Sequence, residues 1–110
     1  MPFSVPRSLR KLPREKAFYF FTSIGNYTGD HASSLEEFVK MIRQVDVKSL
    51  EFHFYRGDFG KWAAEVLEDA ELATAINSLR NFKPLGDHLR DQLYLVVWKR
   101  YKELIGGRRG

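Results

Sequence analysis

The residues best equipped for acid–base or metal chemistry are three histidines and fourteen carboxylates, and their spacing spells out neither. His31, His53 and His88 show no H-E-x-x-H order and no i, i+4 pairing, so no helical zinc site is written here. His88 follows Asp87 at an expected helix start, where a surface histidine is ordinary. His53 sits among aromatic residues and reads as a histidine at the core edge. His31 neighbours Asp30, but adjacency in sequence makes no catalytic dyad. Asp58, Glu65, Glu68, Asp69 and Glu71 could pair for acid–base work. They read better as solvated faces and first turns of two helices, where their negative charge could meet a basic partner. The segment Gly25 to Gly29 has two glycines but no following lysine, so it reads as a tight turn, not a phosphate loop. With no cysteine there is neither thiolate ligand nor disulfide. The expectation is a protein that is not an enzyme and uses no cofactor, metal or small-molecule substrate.

Charge is the stronger signal. Residues 1–16 hold Arg7, Arg10, Lys11, Arg14 and Lys16 against Glu15, and residues 99–110 hold Lys99, Arg100, Lys102, Arg108 and Arg109 against Glu103. The stretch between them is acidic, with 8 bases and 12 acids. Basic ends on an acidic body point to phosphate contacts. These ten cations are therefore the expected phosphate- or RNA-binding residues.

The elements that must carry these residues follow from pattern. A chain of 110 residues, 44% hydrophobic and 15% aromatic, supports one core. Residues 1–14, with Pro2, Pro6 and Pro13, read as an extended basic arm that orders on a partner. Residues 15–105 read as a single globular domain and 106–110 as a basic tail. Ala17 to Ile24 is an aromatic strand, apolar on both faces, followed by a turn over Gly25 to Asp30. Ser33 or Ser34, with Glu36 or Glu37 three residues on, opens a helix whose stripe is Leu35, Phe38, Met41 and Ile42. Residues 47–56 satisfy two patterns. Leu50, Phe52 and Phe54 alternate as in a strand, while Val47, Leu50 and Phe54 fit a helix; the balance leans to helix. Asp58 and Asp69 can cap further helices. The last helix begins near Asp87, with Leu89, Leu93, Val96, Val97 and Leu104 on one face. Trp62 and Trp98 are expected in the core. The fold class is α+β, mostly helical, with one strand and four or five helices. A lone strand needs a partner for its backbone groups, so pairing across a dimer is expected, with Phe18, Tyr19, Phe20 and Phe21 at the interface.

The segment Lys16-Ala17-Phe18-Tyr19-Phe20-Phe21-Thr22, then Ile24-Gly25-Asn26-Tyr27-Thr28-Gly29 and Ser34-Leu35-Glu36-Glu37-Phe38, resembles a small family of unknown function found in archaea and some bacteria. Ser49-Leu50-Glu51-Phe52-His53, Tyr55-Arg56-Gly57-Asp58-Phe59 and Trp62 extend the resemblance over roughly residues 12–80. The basic-ended form is also similar to the archaeal ribosome dimerisation factors. That resemblance implies a homodimer that joins two small ribosomal subunits and blocks their association with large ones, silencing translation. It supplies no contact residues; the choice of the basic ends rests on charge alone. The alternative is a regulatory protein-interaction module that docks through its acidic helices, without nucleic acid. Residues 1–16 lack a signal-peptide pattern, and no apolar run reaches the roughly 18 residues of a membrane span, so a cytoplasmic protein is expected.

Overall fold

The computed structural model describes residues 9–106. Strand β1 (Phe18–Ser23) turns through Ile24-Gly25 into strand β2 (Asn26–Ala32), and the two pair antiparallel. Five helices follow: α1 (Leu35–Gln44), α2 (Val47–Arg56), α3 (Asp58–Glu65), α4 (Ala70–Ser78) and the long α5 (Gly86–Gly106). A 3-10 turn over Leu79–Phe82 links the last two. The mostly helical α+β architecture is as expected from sequence.

The single-strand expectation is corrected. Asn26–Ala32 is a second strand, and the lone-strand motive for a dimer disappears, because β2 of the same chain pairs with β1. Gly25, at φ +80°, closes a two-residue hairpin. Gly29, at φ +94°, is a bulge residue and not a turn residue. The register jumps there, and Thr28 repairs the break. Its hydroxyl donates to the Phe20 carbonyl at 2.8 Å and accepts from the Asp30 N–H at 3.1 Å. The expected interface is corrected too. Phe18 and Phe20 point into this chain's own core, whereas Tyr19 and Phe21 lie half-buried on the outer face. That outer face is therefore only partly covered, not sealed.

Helices α1, α2 and α4 start where a side chain satisfies one of their free N–H groups. The Ser34 hydroxyl accepts from the Glu37 N–H, and the Glu37 carboxylate accepts from the Ser33 N–H. Asp46 caps α2, which resolves residues 47–56 as helix. Gly57 ends α2 in the left-handed region and starts α3 directly, so Asp58 falls in the first turn of α3 instead of capping it. Asp69 caps α4 through the Leu72 N–H.

The core is aromatic at its centre. Phe18, Phe20, Phe38, Phe59, Trp62 and His53 meet with ring centroids 4.8–6.3 Å apart, mostly tilted or edge-on. Around them lie Leu35, Ile42, Leu50, Leu67, Leu72, Ile76, Leu89, Leu93 and Val97. Gly60 brings α3 close to α4, where a Cβ would collide with the Asn77 side chain. The expected arm is shortened by Leu12, which is buried in this core and donates its N–H to the Ser33 carbonyl at 2.6 Å. Its apolar side chain gains more from burial than the chain loses in freedom. Trp62 is buried as expected, but Trp98 is 37% exposed. No helix among the described residues is long and apolar enough to cross a membrane.

Candidate functional site

His53 comes nearest to catalytic geometry. It is buried on α2, and its Nδ1 lies 2.8 Å from an Asp58 carboxylate oxygen. Arg56 donates to the same oxygen at 3.1 Å. The other ring nitrogen decides the role. Nε2 accepts the backbone N–H of Phe21 at 2.8 Å, so the proton sits on Nδ1 and the lone pair of Nε2 is already used. Burial pushes the imidazole below its usual range, against the upward pull of Asp58. A neutral histidine with both nitrogens engaged by the protein staples β1 to α2; it cannot take a proton from a bound molecule without releasing the strand. Among the described residues, no three His, Asp or Glu gather to hold a metal.

The ten expected phosphate contacts divide into groups. Arg7, Arg108 and Arg109 lie outside the described residues. Arg10, Arg14, Lys16, Lys99 and Lys102 are exposed. Lys11 is exposed but paired with Glu37 at 2.9 Å. Arg100 is engaged within the protein. Its side chain is 22% exposed and reaches Asp69 at 2.9 Å, Glu71 at 3.3 Å and Glu103 at 3.4 Å. Burial alone would lower its affinity for the proton, but the three carboxylates outweigh that and raise it. Arg100 locks the end of α5 to the start of α4, where a buried Asp69 demands a cation.

Each basic cluster is anchored to the α3–α4 part of the fold by its own contact. The Trp62 indole donates to the Lys16 carbonyl at 2.9 Å. The next residue, Ala63, accepts from the Asp69 N–H, and Asp69 holds Arg100. Lys16 is thus tied to α3 through its carbonyl, and Arg100 to the start of α4. The predicted acidic patch is partly spent at these contacts, since Asp58 faces Arg56 and His53 while Asp69 and Glu71 face Arg100.

A further surface was not read from sequence. Between α1 and α5 runs an open groove of 690 Å³. Its α5 wall is Tyr94, Trp98 and Tyr101, at i, i+4 and i+7, one stripe of a helix. Tyr94 and Trp98 lie nearly parallel, 11° apart with centroids 6.3 Å apart, and Trp98 and Tyr101 follow at 5.9 Å and 31°. Cations flank the rings. The Arg43 guanidinium lies 4.7 Å from the Tyr94 centroid, and the Lys102 ammonium 5.8 Å from that of Trp98. Lys40 lines the α1 side, paired loosely with Glu36 at 3.5 Å. Arg90 fixes the width by donating to the Ile42 and Arg43 carbonyls at the end of α1. The signal was present in the sequence: an aromatic stripe one residue round from the core stripe Leu89, Leu93 and Val97, with lysines beside it. Assigning Trp98 to the core concealed it.

No curated protein and no solved structure matches the chain. The model of one family covers residues 13–106, nearly the whole of the described fold. The chain therefore belongs to the family of unknown function DUF5752.

Proposed function

We propose that the protein is a non-enzymatic, ribosome-associated factor that binds the small ribosomal subunit as a homodimer, promotes small-subunit dimerisation and blocks subunit association. The observation that carries this reading is that Arg14, Lys16, Lys99 and Lys102, from the two basic clusters, all stay exposed to solvent. Ribosomal RNA would meet them through its phosphates. The staple formed by His53 supports a binding role over a catalytic one, because the best acid–base candidate is consumed in holding β1. The homodimer is proposed through the outer face of the hairpin, where Tyr19, Phe21 and Tyr27 sit beside Ile24, which is 84% exposed. The ribosome itself enters from the resemblance in sequence. A protein-interaction module without nucleic acid is the second reading, favoured by Phe82 and Leu85 exposed between α4 and α5.

Sedimentation of a native lysate through a sucrose gradient tests the proposal. The protein is expected with small subunits or their dimers at low salt and at the top of the gradient at high salt. Replacing Arg14, Lys16, Lys99 and Lys102 with glutamine should flatten the salt dependence, the logarithmic slope falling by roughly 0.7–0.9 for each phosphate no longer neutralised. Protein that stays at the top at low salt, or an unchanged slope in the variant, refutes it.

A further inference from the structure

We infer that the α1–α5 groove is a second binding site, one that takes unpaired bases of a single-stranded nucleic acid. Phosphate contacts by the exposed cations of the basic clusters do not distinguish strand states; the groove would. Three features of the groove carry the inference. The rings of Tyr94, Trp98 and Tyr101 form a ladder with small interplanar angles, the arrangement in which bases stack on a protein. Trp98, its central rung, keeps 37% of its surface open to solvent, although a tryptophan gains more than most residues from burial. The charge beside the rings complements a phosphate backbone: Lys40, Arg43 and Lys102 against Glu36.

The size agrees. A groove of 690 Å³ lies within the range of small-ligand sites and is ample for one or two nucleobases. Because it is open along the helix, a strand can continue past either end. A base inserted beside Trp98 would cover the exposed indole face, while Lys40 and Lys102 face the flanking phosphates. Gln44, at the end of α1, supplies an amide that can bond a base edge. An amphipathic helix is a poorer fit, because the cations over Tyr94 and Trp98 would be buried against its apolar face.

The test uses the full chain and fluorescein-labelled oligonucleotides of about ten nucleotides, as single-stranded RNA, single-stranded DNA and RNA duplex, followed by anisotropy at low salt. The indole emission of Trp62 and Trp98 together is read in parallel, with the Trp98→Ala variant supplying the share of Trp62. Single strands are expected to quench that emission. Trp98→Ala should weaken single-strand binding about 5- to 100-fold, the range for loss of one stacked base, and leave duplex binding unchanged. Lys40→Glu, a substitution at an exposed position, should weaken single-strand binding without touching the rings. A preference for RNA over DNA would mean the 2′-hydroxyl is also read, and equal affinities would mean stacking alone; both keep the groove as the site. Equal single-strand affinity in wild type and in both variants overturns it, as does binding of duplex but not of single strands. Neither result depends on ribosome sedimentation, so the two proposals fail separately.

Discussion

Replacing His53 with leucine isolates the staple between β1 and α2. The substitution keeps an apolar side chain of comparable size in the core but removes both hydrogen bonds. The Phe21 N–H, bonded to Nε2 at 2.8 Å in a partly buried setting, is left without its acceptor. That costs about 1–3 kcal/mol. Edge-on packing of the imidazole against Phe18, at 4.8 Å between centroids, contributes roughly a further 0.5–1.5 kcal/mol. Leucine recovers part of this through apolar burial, so a net loss of about 2 kcal/mol is expected, or a fall of roughly 10 °C in Tm for a domain of this size. The assay is thermal and urea denaturation followed by circular dichroism.

The pH dependence supplies the sharper readout. Burial lowers the folded-state pKa of His53 below its unfolded value of about 6.5. As pH falls through this window the unfolded chain binds a proton before the folded one does. The stability contributed by the neutral ring is therefore complete above about pH 6.5 and is lost as the pH drops toward the folded pKa. Protonation also turns Nε2 into a donor facing the Phe21 N–H, which opens the staple. The wild type should lose stability as the pH falls below about 6.5 more steeply than His53→Leu. Parallel pH profiles in the two proteins, or a folded-state imidazole that titrates at or above its ordinary value in nuclear magnetic resonance, would refute the reasoning.

Two further outcomes are expected from packing. Leu12→Ala should destabilise by about 2–3 kcal/mol, as for a buried leucine; an unchanged urea midpoint would return Leu12 to a free arm. Asp69→Ala removes the cap of α4 and leaves Arg100 without its closest carboxylate, at a cost of about 2–4 kcal/mol. Asp69→Asn, which can still cap, should cost visibly less in the same denaturation series.

Much of the helical part was legible because helix starts leave local marks. Ser34 with Glu37, and Asp69, are readable from spacing alone, since a cap acts within a few residues. The second strand was not legible for a specific reason. A glycine at positive φ looks the same in sequence whether it closes a turn, as Gly25 does, or makes a bulge, as Gly29 does. Only the pairing of Tyr27 with Phe21 and His31 with Tyr19 separates the two. The roles of Arg100 and His53 were hidden similarly. Their partners lie 31 and 32 residues away, and no local pattern announces a carboxylate or an amide at that distance. The basic ends were legible as charge, yet charge counts do not tell an engaged cation from an available one.

That difference bears on the kind of binding the surface can support. Arg90 and Arg100 spend their guanidinium groups inside the protein, on the end of α1 and on Asp69, and the half-exposed Arg56 pairs with Asp58. A guanidinium fork is the group that reads a guanine edge or grips a phosphate in two places. With these three committed to architecture, the outward charge at the end of α5 falls to Lys99 and Lys102, point charges on flexible stems. Lysines of this kind attract a polyanion strongly at low salt and discriminate poorly among sequences. Selectivity would then have to come from shape or stacking. The ladder of Tyr94, Trp98 and Tyr101 is a surface that brings flat faces, flanking cations and open space together. If both proposals hold, the exposed cations of the two basic clusters set affinity and salt dependence, while the α1–α5 groove selects unpaired strands.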